Sequence, residues 1–306
     1  MRINLISNLG EDAKIGDLYN FNMVVAWNLR KAFMKRGVEA QFVRDRTIRK
    51  TAPPTADHSI VISAGAMRAI KGQNKQPGYY EKIRDNTTGK LTMYLDSDYG
   101  GWKPYFDHIF TVVVPQNNKN FIYGGWGADP EFFYPDQQER AVFVDSLMHN
   151  FYKGRYNKIY DILKEVFKIP DHNLETGDPL TQTIPSLDMT LHMPIPGYNK
   201  RFKTIYWPEI QGIIRKCHYY CCTQWGESGL TRIESATSGA LLVIPEELYR
   251  PRTMASLEHR IWRTKDELID ILMTKTDPKA ISEKALEHSW DKVADRMLKV
   301  FEGKSG

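Results

Sequence analysis

Cysteine is scarce in this chain: its 306 residues include three, Cys217, Cys221 and Cys222, all in one short segment. A disulfide framework needs spaced pairs, so a reducing compartment is expected. The cluster also lacks the paired CxxC or HxxxH geometry of a zinc site, and an apolar strand explains it better. None of the eight histidines has a ligand-like partner at helical spacing, so no metal site is expected. Long apolar runs are missing too: nothing approaches the roughly 20 residues that cross a bilayer, and no membrane span is expected. Met1 to Ile6 passes straight into a polar, glycine-containing loop rather than a signal-type apolar region. The expected location is therefore the cytoplasm, that of the host if the chain is viral. Internal repeats and low-complexity tracts are absent as well, which argues against a solenoid.

What is present describes an ordinary globular chain. Hydrophobic residues at 42% and charged residues at 26% lie far from the composition of disordered chains. The length exceeds the roughly 250 to 300 residues at which single cores stop growing, so two domains are expected. A net charge of +5 and a pI near 8.9 are compatible with a polyanionic partner without selecting one.

Strand and helix signals alternate along the chain. Met1 to Ser7 reads as a buried strand, followed by a loop with Gly10 and Gly16 and a helix from about Leu18 to Arg36. Further strands are expected at Glu39–Val43, Ser59–Ser63, Leu91–Leu95 and Ile109–Val114. A second series has strands at Ala141–Val144, Leu187–Leu191, Tyr219–Thr223 and Ala240–Ile244. Helices separate them at Tyr156–Phe167, Pro208–Lys216 and Thr231–Ser238, with one more near Lys265–Thr274. Such alternation predicts parallel sheets covered by helices on both faces. The polar, proline-bearing stretch Asp171 to Pro185 reads as a surface insertion. The proline-punctuated run after Trp126 suggests domains at 1–132 and 133–280, with a terminal segment 281–306.

The most informative stretch is Q-W-G-E-S-G-L-T-R-I-E, Gln224 to Glu234, between an apolar strand and a helix. A glycine-bearing turn of this kind lets backbone N–H groups approach a phosphate at a helix start that carries about half a positive charge. Glu227 and Glu234 can face one crevice and accept from ribose or sugar hydroxyls. Thr231 followed by Glu234 also has the spacing of a capping box, which would stabilise any helix start. Spacing alone leaves capping and ligand binding both open.

The run E-S-G-L-T-R-I-E-S-A-T-S-G-A-L-L-V-I-P resembles the nucleotide-binding segment of group 1 retaining glycosyltransferases, whose two-domain architecture is called GT-B. Gly229, Leu230 and Glu234 align with that pattern, whereas six residues separate Glu227 from Glu234 where the family has seven. W-G-A-D-P-E-F-F-Y-P-D is similar to the family's interdomain element, and V-F-V-D-S-L-M-H-N-F-Y-K-G to the strand and Lys-Gly turn that open the second domain. H-S-W-D-K-V-A-D-R-M-L resembles the tryptophan-bearing C-terminal helix that crosses back to the first domain.

The resemblance implies an α/β fold with two Rossmann-like domains facing across a cleft. It also implies a nucleoside diphosphate sugar as donor, with a UDP-sugar the first choice and no further cofactor, although Mg²⁺ could accompany the diphosphate. Lys153 would reach the donor phosphates, Glu234 the ribose, and Glu227 the donor sugar or its phosphate. Leu230, Thr231 and Gly16 complete the donor-binding set. The family's Gly-Arg pair is replaced by Asp145-Ser146, and Arg155 is the expected substitute cation, with a solvated helix face as the alternative reading.

In L-T-M-Y-L-D-S-D-Y-G-G-W, Asp96 and Asp98 follow a strand at the edge where open α/β sheets bind ligands. This stretch is similar to phage DNA β-glucosyltransferases, and the similarity makes Asp98 the general base of an inverting reaction. A turn-forming aspartate ahead of Gly100-Gly101 is the alternative. Basic residues among aromatics at Arg44, Arg46, Arg49 and Lys50, and at Tyr198 to Lys203, would suit phosphate contacts of a DNA acceptor or a plain solvated loop. The resulting expectation is glycosyl transfer to an acceptor hydroxyl, with a hydroxymethylated base in DNA as the favoured acceptor and a saccharide or small molecule as the alternative. A nucleotide-sugar epimerase and a non-catalytic nucleic-acid-binding module are the competing classes. Oligomeric state and stereochemistry are open.

Overall fold

A computed structural model describes residues 1–15, 18, 21–48, 50–62, 78–95, 105–112, 121–136, 140–144, 157–176, 179–193, 207–223, 229–249, 251 and 255–304. The chain divides into two compact units, Met1–Gly127 with His288–Gly306, and Ala128–Glu287. No helix among the described residues is long and apolar enough to cross a membrane.

The first unit is built on six parallel strands: β1 (Arg2–Ser7), β2 (Glu39–Arg44), β3 (His58–Val61), β4 (Leu91–Leu95), β5 (His108–Thr111) and β6 (Phe121–Tyr123), in the order β2-β1-β3-β4-β5-β6. β3 and β4 are buried along their whole length, as expected of strands with helices on both faces. α1 (Phe21–Met34) and α2 (Tyr79–Asp85) follow β1 and β3. Tyr79, Tyr80 and Ile83 of α2 pack with Val61, Met93 and Ile109 of the sheet in one apolar cluster.

The second unit carries β7 (Ala141–Val144), β8 (Leu180–Ile184), β9 (Met189–Met193), β10 (Tyr219–Cys221), β11 (Leu241–Pro245) and β12 (His259–Trp262), in the order β12-β11-β10-β7-β9-β8. All pairings are parallel except β8 with β9. Its helices are α3 (Asn157–Phe167), α4 (Asp171–Thr176), α5 (Trp207–Ile214), α6 (Leu230–Thr237), α7 (Lys265–Met273) and α8 (Pro278–Ala285).

The terminal helix α9 (Trp290–Phe301) belongs to the first unit. Ser289 caps it by accepting from the Lys292 N–H. On α1, Arg36 follows the helix end and grips α9 at two carboxylates, Asp291 at 2.9 Å and Asp295 at 2.5 Å. Arg296 donates twice to the Gly124 carbonyl at 2.8 and 2.9 Å, and Phe301 stacks on His58 with ring centroids 4.3 Å apart. Gly127 lies so close to α9 that a Cβ there would stand 2.5 Å from the Trp290 nitrogen.

Two expectations are corrected. Asp171 to Pro185 is not an irregular insertion: it contains α4 and then β8, an antiparallel edge strand whose L-T-Q-T-I alternation is weak because only its last residue is buried. The neighbouring strand runs from Met189 to Met193 rather than from Leu187, because Pro185–Leu187 forms a 3-10 turn. β6 and β12 are likewise not marked in the sequence, since both are partly exposed edge strands without a fully buried apolar run.

Candidate functional site

In an open α/β sheet the ligand crevice lies beyond the carboxyl ends of the strands, where the strand order reverses. In the second unit, the chain leaves β7 towards β9 on one side and returns to β10 on the other, so the reversal falls between β7 and β10. Their register sets Val144 level with Cys221. β7 and β10 therefore end side by side at the same edge.

α6 starts on that edge. Gly229 is its N-cap, in extended conformation, and supplies no side-chain cap. Its first turn carries no acidic residue. The first intrahelical contact closes from the Arg232 N–H to the Gly229 carbonyl at 3.1 Å, so by helix geometry the N–H groups ahead of it have no intrahelical acceptor. Three other helix starts are closed by side chains, Thr264 with Glu267 in a capping box on α7, Asp277 on α8 and Ser289 on α9, whereas α2 starts at Gly78 without one. A helix start with a glycine N-cap and no acidic residue in its first turn can receive a phosphate.

The capping-box reading of Thr231 and Glu234 is thus corrected. Thr231 is the second helical residue and Glu234 the fifth, so neither occupies a cap position. Glu234 is 3% exposed and is engaged within the fold; its carboxylate is buried one turn inside the crevice-facing end.

α6 is held rigidly for a reason its small residues explain. Ser235, Ala236, Ser238 and Ala240 are buried and allow α8 to come close. The helix ends in a Schellman turn: Gly239, at φ 86°, donates to Ala236, and Ala240 donates to Ser235, both at 2.9 Å. Ser282 of α8 donates to the Thr237 carbonyl at 2.5 Å. The cysteines behave as the apolar strand reading requires: Cys217, Cys221 and Cys222 are buried and reduced, and burial pushes the Cys217 thiol well up.

Sequence reasoning missed Arg232. It is 2% exposed, and its Nε donates to the Cys222 Sγ at 3.0 Å. A basic residue inside a helix ordinarily faces solvent, and no sequence signal marked this one as buried.

Of the other residues proposed for the site, Gly229 and Leu230 lie at the start of α6 as just described. Asp98, Lys153, Arg155, Glu227 and Gly16 lie outside the described residues. In the first unit the strand order reverses between β1 and β3. A cavity of about 310 Å³ opens nearby at the carboxyl edge, lined by Gly10, Glu11, Asp12, Phe42 and Arg44. Its walls are tied: Glu11 accepts from the Phe42 N–H and pairs with Arg30, and Asp12 pairs with Arg44 at 2.9 Å. Arg44, Arg46 and Lys50 are exposed on this edge; Arg49 and the basic run at 198–203 lie outside the described residues. No group of three metal-ligating side chains occurs among the described residues.

No family model matches the sequence, and no curated protein matches it. Solved structures do match over nearly the whole chain. AviGT4, a glycosyltransferase involved in avilamycin A biosynthesis, is 12% identical with a TM-score of 0.57, over 98% of this chain and 97% of that one. An alpha-glucosyltransferase in complex with UDP-glucose and DNA containing an abasic site is 12% identical with a TM-score of 0.56, over 98% and 99%. HepE of Anabaena in complex with UDP-glucose is 9% identical with a TM-score of 0.53, over 99% and 100%. These likenesses cover both units, and the chain has the two-unit, Rossmann-like GT-B fold.

Proposed function

We propose that this chain transfers a sugar from a nucleoside diphosphate sugar, a UDP-sugar in the first instance, to an acceptor hydroxyl on a hydroxymethylated base in DNA. The observation that carries the donor half is the glycine-capped, acid-free start of α6 beside the reversal point of the second sheet. Structures with UDP-glucose bound share the fold along the full chain. The DNA half rests on the net charge of +5, on the exposed Arg44, Arg46 and Lys50, and on one such relative being held with DNA.

In this reading the N–H groups at Gly229, Leu230 and Thr231 donate to the diphosphate, and Lys153 and Arg155 reach it from the connection after β7. Glu234 accepts from the ribose, and Glu227 from the donor sugar. Gly16 lets the loop after β1 approach the donor, and Asp98 takes the acceptor proton if the reaction inverts. Rate comes chiefly from stabilising the charge that develops on the departing diphosphate, which preorganised N–H dipoles and cations do without reorganising.

The test is a thermal-shift screen of nucleoside diphosphates and their sugars, with and without Mg²⁺, on the wild type and on Glu234→Gln. A ligand held only by the folded state at about 100 times its Kd adds about 2.7 kcal/mol. One nucleotide should raise Tm, and the rise should shrink in the variant. Transfer of labelled sugar to hydroxymethylated DNA, against unmodified DNA and oligosaccharides, then settles the acceptor. No shift with any nucleotide overturns the donor assignment, and transfer to oligosaccharide alone overturns the DNA assignment.

A further inference from the structure

We infer that the segment 44–50 of the first unit grips the DNA backbone through Arg46 and Lys50, one phosphate each, and that the burial of Asp45 is what makes this segment a cationic surface. The inference rests on the proposed DNA acceptor and deepens it.

The sequence sets an aspartate among cations here, Arg44-Asp45-Arg46-Thr47-Ile48, with Lys50 close behind. On an exposed loop that carboxylate would offset a neighbouring cation and repel a phosphate. The fold takes it off the surface. Asp45 opens the short helix Asp45–Ile48 and is 5% exposed, and its Oδ1 accepts from the hydroxyl of Tyr79, which is itself buried on α2. Ile48 packs with Tyr79, Tyr80 and Ile83 in the apolar cluster, and the Lys82 Nζ reaches its carbonyl at 3.5 Å. Asp45 and Ile48 stand three residues apart and so share the helix face turned to α2, whereas Arg46, Thr47 and Lys50 are exposed.

The acids of the adjoining loop are engaged as well. Asp12 pairs with Arg44 at 2.9 Å and Glu11 with Arg30 at 2.8 Å. Arg44 is thereby committed to the loop, whereas among the described residues no carboxylate holds Arg46 or Lys50. Exposed cations of this kind bind phosphates by releasing counterions, whatever the base sequence. A lipid surface also attracts cations, but a segment that lies on it presents apolar side chains beside them. Here Phe42, Val43 and Ile48 are buried, which favours nucleic acid.

The experiment measures binding of an unmodified DNA duplex by fluorescence anisotropy over a range of salt concentrations, with Tm measured without DNA as the folding control. It compares the wild type with the double variant Arg46→Gln, Lys50→Gln and with Lys216→Gln, Lys275→Gln, which removes two lysines exposed on the second unit. Loss of Arg46 and Lys50 should make the slope of log affinity against log salt shallower by about 1 per side chain, about 2 in all. Tm and any nucleotide-induced rise in it should not change. The lysine control should move the slope by less than about 0.5. An unchanged slope in the first variant, or equal changes in the two, would place the contact elsewhere or reduce it to net charge, and either overturns the assignment. Asp45→Asn keeps an acceptor for Tyr79 and should leave the slope as it is; a steeper slope would show that the carboxylate offsets these cations and overturn the role given to its burial. Binding to phosphatidylserine vesicles in place of duplex would make the partner a lipid surface and overturn the assignment too. A wild type that binds no duplex removes the DNA reading itself, an outcome recognised without any variant.

Discussion

Gly239→Ala tests whether the junction of α6 and α8 is as tightly determined as its geometry requires. At φ 86° the residue occupies the left-handed region, which costs an L side chain about 1 to 2 kcal/mol. The added Cβ would lie 2.6 Å from the Pro278 carbonyl oxygen and 2.7 Å from the Pro278 Cβ. The first of these atoms is backbone and cannot rotate away, so α8 must shift. Overpacking of this kind typically costs about 1 to 3 kcal/mol. The sum is about 2 to 5 kcal/mol, which in a unit of this size lowers Tm by about 5 to 15 °C. The shift would also strain the Ser282 to Thr237 bond that joins the helices. Differential scanning calorimetry of the full chain, with Gly37→Ala as the control, measures it. Gly37 also has positive φ, 70°, but nothing within 4 Å, so its loss should be limited to the backbone cost of about 1 to 2 kcal/mol. Equal losses in the two variants would show that contact with Pro278 contributes nothing, and a Gly239→Ala transition within about 1 °C of the wild type would refute the packing argument outright.

Other outcomes follow from the same geometry. Arg36→Met should destabilise the first unit by about 1 to 2 kcal/mol, discounted because its two carboxylate partners are partly exposed. The Arg36 hydrogen bond holds the Asp295 carboxyl below its ordinary range, so the gap between wild type and variant should be full above about pH 4 and close as pH falls through the depressed value; a gap independent of pH in acid would contradict this. Burial holds the His58 and His108 imidazoles below their usual range, and His58 accepts from the Lys90 N–H at Nδ1. The unfolded state therefore takes up protons first, and stability should fall as pH drops below about 6.5. Thermal melts of His58→Gln with His108→Gln should flatten that slope, and an unchanged slope would place its origin elsewhere. The three cysteines, each 1% exposed, should resist Ellman's reagent in the native protein and react on addition of guanidinium; rapid native reaction would contradict their burial.

Much of the fold was legible because strand and helix periods are local properties. β1, β4, β7 and β11 are short apolar runs, and α9 announces itself through Ser289 and a clear apolar stripe at Trp290, Val293, Ala294, Met297 and Phe301. The edge strands β8 and β12 were not legible, since a half-exposed strand of mixed residues carries little alternation. Gly229 was legible as the turn between an apolar strand and a helix, and it is the N-cap of α6. Thr231 misled for the complementary reason: the spacing to Glu234 is right for a capping box, but the helix begins earlier, at Leu230.

The sequence by itself determined the α/β class and the division into two units, both of which depend on composition and on spacings of a few residues. Only the tertiary structure decided that β7 lies beside β10, that α6 takes Gly229 as its N-cap, and that Arg232 is buried against Cys222. Strand order and side-chain burial are set by residues distant in the chain, such as Val144 level with Cys221 and Gly239 against Pro278. No local pattern contains that information, because a helix period fixes which face is apolar but not which strand the helix will meet.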